Sequence, residues 1–416
     1  MNNPKILVVI GGGAAGFFCA VNAARIHKGL KVVLLEKSNK LLSKVKVSGG
    51  GRCNTTHACF NINELITYYP RGAAFLKKAF HHFSTSDTVS WFEERGVRLK
   101  TESDGRMFPV SDSSQTIIDC LLLEAQKYQV EIIMNADARQ IIIHSKDESA
   151  SDKKFVVTLA NGKEIPSDYL CISSGGLIKA AQFQWLEKSG HTIVPPVPSL
   201  FTFNVPGNAI TDLMGITVPN VTVKLIGTKL QQEGNLLITH WGMSGPAILK
   251  LSAYGALELA KKNYDFYFSL NWLSQFNENT LREKMQLLRF DIASQKMINR
   301  NPFGLPSRLW EYLLKISGVH EALRWADLPA KEQNKLIKNL CSHEFHAKGK
   351  TTFKEEFVTA GGIELTEIDT NSMQSKLVPG LFFAGEIINV DGVTGGFNFQ
   401  NAWTTGWIAA QNVFAS

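Results

Sequence analysis

Lys5-Ile-Leu-Val-Val-Ile-Gly-Gly-Gly-Ala-Ala-Gly16 is followed by a second apolar run that ends in an acid, Val32-Val-Leu-Leu-Glu36. The run Ile6 to Ile10 has the length and continuity of a strand buried on both faces. It feeds a Gly11-x-Gly13-x-x-Gly16 turn, and small and apolar residues of helical character come next. Gly11 permits the tight turn, Gly13 lets the backbone approach a pyrophosphate, and Gly16 lets the helix pack closely on the strand. Ala14 and Ala15 open that helix, whose first N–H groups have no acceptor within it and suit a phosphate. Glu36, with Lys37 beside it, lies roughly 20 or more residues past the first glycine, where an acid can accept hydrogen bonds from an adenosine ribose. The strand–helix–strand–acid frame predicts a dinucleotide site.

The chain has 416 residues, too many for one simple core, and two or three domains are expected. Hydrophobic residues make up 44% and charged residues 19%, the balance of a globular protein. A net charge of +7 is modest for this length and suits an anionic cofactor without arguing for nucleic acid. Cys19, Cys53, Cys59, Cys120, Cys171 and Cys341 form no CxxC pair. That spacing argues against a zinc ribbon or a disulfide framework, so no metal is expected and the reading is cytoplasmic. Residues 6–24 are as apolar as a signal peptide, but the glycine triplet and the strand after it fit a nucleotide-binding unit better. No apolar run reaches 18 residues, so no membrane span is expected.

Along the chain, residues 65–94 read as helices, 98–101 and 107–110 as short strands, and 116–128 as an amphipathic helix. Strands at 141–144 and 155–159 flank the polar loop Ser145–Lys154, and the buried strand Tyr169–Ile172 ends in Ser173-Ser-Gly-Gly176. The composition changes at Val194-Pro-Pro-Val-Pro198 and is strand-like to about residue 238, with 218–226 and 236–239 clearest. Residues 255–348 hold helices, notably 307–316 and 331–340. Near Glu356 the nucleotide-binding character returns, with Leu381-Phe-Phe-Ala-Gly-Glu386 and a last helix at about 398–413. The expected fold is α/β, a Rossmann-like domain split into 1–193 and 355–416. The insert is expected as a β-rich part, 194–254, and a helical part, 255–354, that returns through the β-rich domain.

Three further stretches carry chemistry. A buried strand ending in Gly385-Glu386 can set its acid against the ribityl hydroxyls of a flavin. A helix starting at Gly395-Gly396-Phe397-Asn398 can face the flavin edge where negative charge develops on reduction. Ser48-Gly49-Gly50-Gly51-Arg52-Cys53-Asn54 offers unobstructed N–H groups, and Arg52 can neutralise a pyrophosphate or reach the flavin. Cys53 reads as a small packing residue rather than a redox nucleophile, and Ser174-Gly175 can bring the chain past the cofactor.

With these pieces the chain resembles the BaiN/RdsA-like (YhiN-like) family of FAD-dependent, NAD(P)-linked oxidoreductases, within the two-dinucleotide-binding-domain flavoproteins. The resemblance runs over nearly the whole chain. Its most specific pieces are Ser48–Asn54 and His240-Trp-Gly-Met-Ser-Gly-Pro-Ala247. The others are Gly11–Gly16, Phe108–Ser111, Val358–Ile363, Met373–Lys376, Gly385–Gly392 and Gly395–Asn401. It implies FAD in the split domain, with an inserted β-barrel-like and helical domain over the flavin, and for one member a reduction of carbon–carbon double bonds in oxo-bile-acid intermediates. Ser174 stands where such proteins often have Thr, Phe397 where Tyr is common, and Asn389 where Asp is common. The last change puts a proton-transfer role at that position in doubt.

The expected function is hydride transfer from NAD(P)H through the flavin to a small organic acceptor, an activated C=C or C=O. Asn389 and His240 are the candidate catalytic residues, His240 as a proton donor or as a residue that stabilises its own turn. No second GxGxxG marks a nicotinamide site. The alternatives are a flavin-dependent RNA-modifying enzyme, with 255–350 as its RNA surface, and a flavin-binding protein without turnover. Lys and Arg in that region alternate with Glu and Asp, which reads as a solvated helical face, so nucleic acid is not expected. The sequence does not set the oligomeric state.

Overall fold

Apolar strands without alternation need cover on both faces, and a parallel sheet provides it. In the computed structural model β1 (Ile6–Ile10), β2 (Lys31–Leu35), β3 (Glu131–Ile133), β4 (Tyr169–Ile172) and β5 (Leu381–Phe383) form one sheet. Their order is β5-β4-β1-β2-β3 and every pair is parallel. The chain moves outward from β1 to β3, then returns to the other side of β1 for β4 and β5. The order therefore reverses between β1 and β4, and ligands of such sheets bind at the carboxyl ends of the strands at that reversal.

The structure describes residues 4–144, 153–177, 179–187, 189–351 and 358–414. They fall into two units, residues 4–199 with 358–414, and residues 200–351. The first is the Rossmann-like unit, assembled from both ends of the sequence. Here α1 (Ala14–Ile26) follows β1, α2 (Ser43–Gly51) follows β2, and α3 (Phe397–Gln411) is the last helix. Helices α1 and α3 approach through small residues, since a Cβ on Gly406 would lie 2.6 Å from the Ala15 carbonyl oxygen. Phe18 of α1 packs on Trp91 and Trp403, with ring centroids 4.5 and 5.2 Å away.

Smaller sheets surround this frame. Thr56–His57, Arg106–Pro109 and Leu99–Thr101 pair antiparallel, as do Ala138–Ile143, Phe155–Leu159 and Glu164–Ser167. Ile193–Pro198 pairs with Thr359–Ile363. That pairing corrects the boundary read at 194: the proline-rich segment is an edge strand of the first unit, where missing N–H groups cost no interior ladder bond. The boundary read at 354–355, and residues 145–152 of the polar loop, lie outside the described residues.

The second unit is built on a seven-stranded sheet of antiparallel pairs. Its two edges are His343–Lys348 and Lys350–Thr351, consecutive segments separated by Gly349 alone, so the sheet curls towards closure. Asp265–Asn271 is one of its strands, although the surrounding region reads as helical. Phe266, Phe268 and Leu270 alternate inward there, a period-two signal that a helix reading of the Lys-rich region overlooks. Ser307–Ile316 and Ala330–Cys341 are helices, and Trp272, Trp310 and Trp325 are fully buried in this core.

One core residue gives this unit a pH dependence. Burial lowers His343 to about 4. Its Nδ1 accepts a hydrogen bond from Trp272 Nε1 at 3.4 Å, which suits the neutral ring. A lowered pKa means that stability is fully present above the unfolded value of about 6.5 and is lost as pH falls towards 4. The expected loss is about 3 kcal/mol over that window. Urea titrations at several pH values check it: His343→Gln flattens the slope, and an unchanged slope refutes the assignment.

Candidate functional site

The glycine turn at the end of β1 is built for close approach. Gly11 has φ +115°, its N–H donates to the Leu35 oxygen at 2.8 Å, and a Cβ there would lie 2.4 Å from the Ser173 oxygen. A Cβ on Gly16 would sit 1.9 Å from the Gly11 oxygen, so α1 reaches β1 only because that atom is missing. Gly13 is the N-cap of α1 with no side-chain cap, and a Cβ there would meet nothing within 4 Å. The first turn at Ala14 and Ala15 is thus uncapped by any side chain and has room beside it.

Glu36, at the end of β2, is fixed by its own surroundings. Its Oε2 accepts from the Gly12 N–H at 2.9 Å, and its Oε1 accepts from the Ser38 N–H at 2.8 Å and the Ser38 hydroxyl at 2.7 Å. A carboxylate keeps lone pairs beyond these three bonds and can still accept from a ribose. Lys37 is exposed.

Glu386 stands at the end of β5. The Gly385 that precedes it has φ +78°, and a Cβ there would come 2.7 Å from the Ala15 Cβ, so this loop lies against the first turn of α1. Lys44 Nζ of α2 donates to Glu386 Oε2 at 2.6 Å, and the Thr359 N–H donates to Oε1 at 2.9 Å. A Cβ on Gly176 would lie 2.5 Å from Oε1, so the loop Ser173–Gly176 passes directly over the acid. Gly175, at φ +76°, turns that loop. Ser174 Oγ, Thr359 Oγ1 and Asn389 Oδ1 are buried polar atoms with no hydrogen-bond partner among the described residues. Buried polar atoms are rarely left so, and those of Ser174, against the Gly11 turn, and Thr359, against Gly176, ask for a polar ligand.

The segment Ser48–Asn54 is less open than its glycines suggest. Residues 43–47 are helical, then Ser48 turns extended and Gly49 and Gly50 take left-handed conformations. Arg52 lies over the Phe108 ring at 4.0 Å and donates to Glu102 at 2.6 Å, so the side chain expected at a pyrophosphate is committed to the hairpin beside it. Burial pushes the Cys53 thiol up to about 11, in keeping with a packing residue. The Asn54 amide, oriented by its network, donates to the Thr56 oxygen and accepts from the Gly396 N–H at 3.0 Å, tying this segment to the start of α3.

At that start Gly395 and Gly396 have φ +132° and +96°. Phe397 is buried and stacks on Tyr68 and His57 at 4.3 and 4.7 Å. Asn398 grips the backbone of Gly392 with both amide atoms at 2.8 Å. Beside Gly392, Asp391 is wholly buried. Arg71 donates to both of its oxygens and the Ser199 hydroxyl to one. Burial raises the Asp391 carboxyl, while Arg71 and Ser199 pull against that rise.

Asn389 is placed by its N–H, which donates to the Ile363 oxygen at 3.0 Å. His240 belongs to the second unit, exposed at the turn between Gln231–Thr239 and Gly242–Ser244, its ring edge-on to Trp241 at 4.2 Å. The sequence reading gave no role to Lys44, Thr359, Arg71 or Asp391. Lys44 and Arg71 look like ordinary surface cations in sequence, and only the long-range pairing reveals them.

Fold and crevice define an FAD-dependent oxidoreductase. A family model described as HI0933-like protein Rossmann domain matches residues 5–412, and the chain belongs to that family. It is 29% identical over 418 residues to the ribosomal RNA dihydrouridine synthase of Escherichia coli K12, covering 98% of each chain. It is 25% identical over 414 residues to the 3-dehydro-bile acid delta(4,6)-reductase of Clostridium scindens, covering 97% of each. Among solved structures, the 3-ketosteroid delta1-dehydrogenase of Sterolibacterium denitrificans shares the fold at a TM-score of 0.52 and 12% identity, over the full length of both chains. No helix among the described residues is long and apolar enough to cross a membrane.

Proposed function

We propose that the first unit holds FAD along the β1–β4 crevice and that the protein passes hydride from NAD(P)H to a carbon–carbon double bond conjugated to a carbonyl. The observation that carries the cofactor placement is the pair of buried, unpartnered polar atoms on Ser174 and Thr359 beside the Gly11 turn and the Gly176 loop. The glycine turn and the two carboxylates of Glu36 and Glu386 support the same placement.

FAD, when bound, would supply the two-electron chemistry that links a reduced nicotinamide to the acceptor. The residues bind and orient. Glu36 accepts from the adenosine ribose, and the first turn of α1, from Gly13 through Gly16, takes the pyrophosphate. Lys37 is a candidate neighbour of the adenosine end. Glu386, held in place by Lys44 and Thr359, accepts from the ribityl chain. Ser174, Gly175 and Asn389 line the crevice. The start of α3 at Gly395–Asn398 would offer its positive end to the ring system. Ser48, Gly49, Gly50, Cys53 and Asn54 shape the wall next to α3, with Arg52 bracing that wall from the hairpin. His240 is the candidate proton donor for the carbon that does not receive hydride.

The conjugated acceptor is supported by the names of the relatives. A delta(4,6)-reductase of a 3-dehydro bile acid and a dihydrouridine synthase both saturate a C=C conjugated to a carbonyl. The first makes a small enone the leading acceptor class. The second, at 29% identity, supports a uracil within RNA as a second reading.

The test is anaerobic mixing of the yellow protein with NADH and NADPH, followed by enones and then a uridine-containing RNA. Bleaching by a nicotinamide and recolouring by an enone are expected. Failure of both nicotinamides to bleach the flavin would overturn the donor, and recolouring by RNA alone would promote the second reading. Glu36→Ala and Glu386→Ala are each expected to weaken FAD binding at least tenfold, each losing about 1.5 kcal/mol or more of hydrogen bonding to a charged acceptor. Equilibrium dialysis measures this, and unchanged affinity in both variants refutes the two roles.

A further inference from the structure

The charge of the chain is unevenly placed. Between Leu200 and Phe353 eighteen Lys and Arg stand against twelve Asp and Glu, so +6 of the net +7 lies in the second unit. Such asymmetry favours an anionic partner.

One face of that unit's sheet also presents rings to solvent. Tyr267, in the middle of strand Asp265–Asn271, is 55% exposed. It pairs across the ladder with His346, their rings nearly parallel at 16° with centroids 4.6 Å apart. His346 is steadied by Asp265 Oδ1, 2.6 Å from its Nε2. Ile226, 37% exposed, extends the row, its N–H donating to the Tyr267 oxygen at 3.0 Å. Next to this row a groove of about 570 Å³ is lined by Lys224, Lys229, Thr228, Ser269, Ser342 and Glu344. Glu344 is met by Lys338 at 3.6 Å, whereas Lys224 and Lys229 have no ion-pair or hydrogen-bond partner among the described residues.

We propose that this face binds single-stranded RNA, with a base stacked on Tyr267 and phosphates at Lys224 and Lys229. An unstacked base matches a ring held flat and half open, and a sheet face with hydroxyls and cations beside it follows the backbone. A duplex offers no such base surface. This inference rests on the second reading above, that of an RNA-borne acceptor, but it is tested by binding alone.

The experiment is fluorescence anisotropy of a labelled 20-nucleotide single-stranded RNA with the FAD-loaded protein, at several salt concentrations. The wild-type protein is expected to bind, with affinity falling linearly in log–log form as salt rises. Tyr267→Ala weakens binding at least fivefold and Tyr267→Phe restores it. Lys224→Ala with Lys229→Ala reduces the salt slope by about 1.4, the contribution of two single-strand phosphates. Absence of binding at low salt, equal competition by duplex RNA, or unaltered binding in all variants would each overturn the proposal. Binding as described without turnover of any uridine would leave this face standing and sink the catalytic reading instead.

Discussion

Gly16→Val is expected to yield a protein that purifies colourless and has lost about 3 kcal/mol or more of stability. A Cβ on Gly16 falls 1.9 Å from the Gly11 oxygen, and that atom is backbone that no rotamer change can move. Helix α1 must therefore lift from β1, and with it go the contacts to α3 and to Gly385. Gly13→Ala is the informative companion. Its φ of −92° and the open space at its Cβ allow the fold to accept a methyl group. The methyl would occupy the room assigned to the pyrophosphate. The companion should keep its urea midpoint and lose FAD affinity, measured by flavin absorbance after gel filtration. A Gly13→Ala protein as yellow as the wild type would refute the pyrophosphate placement.

Arg71→Met should cost about 3 kcal/mol or more, because it leaves Asp391 buried without its cation. The pH dependence identifies the cause. Asp391 already has its carboxyl raised by burial. A raised acid holds its proton more tightly in the folded state, so its contribution favours folding most below the unfolded value and is lost as pH rises through the folded one. Removing Arg71 takes away the main opposing influence and carries that fall to higher pH. Urea denaturation should therefore show the Arg71→Met deficit growing as pH rises from 5 to 8. The double variant Arg71→Met, Asp391→Leu should recover much of it. An equal deficit at every pH would point to lost packing instead.

Much of the first unit was legible because its signals are local. Continuous apolar strands, glycines at fixed spacing and an acid after β2 are each set by neighbours in sequence, and they led to the parallel sheet and the glycine turn. Elements decided by distant partners were not legible. Ile193–Pro198 reads as the opening of the strand-like insert, and only its partner Thr359–Ile363 assigns it to the first unit. Asp265–Asn271 carries a clean inward alternation, yet it lies among Lys-rich segments that draw the eye to helices. At the crevice the two carboxylates could be named from sequence, but the ion pair that holds Glu386 could not, since Lys44 is 342 residues away. Arg52 shows the converse. Its type and spacing suit a phosphate, and the tertiary fold gives it Glu102 and Phe108 instead.

The split of the first unit also sets the order in which the protein can be completed. β1, β2, β3 and β4 leave the ribosome before the second unit, but β5 and α3, which flank β4 and α1, are made only after it. Until they arrive, one edge of β4 has no partner strand and the apolar face of α1 has no helix to cover it. The second unit, contiguous between residues 200 and 351, can fold while the first still waits. Premature termination before Leu381 should thus leave a chain whose second unit is sound and whose first exposes a strand edge, the kind of species that aggregates.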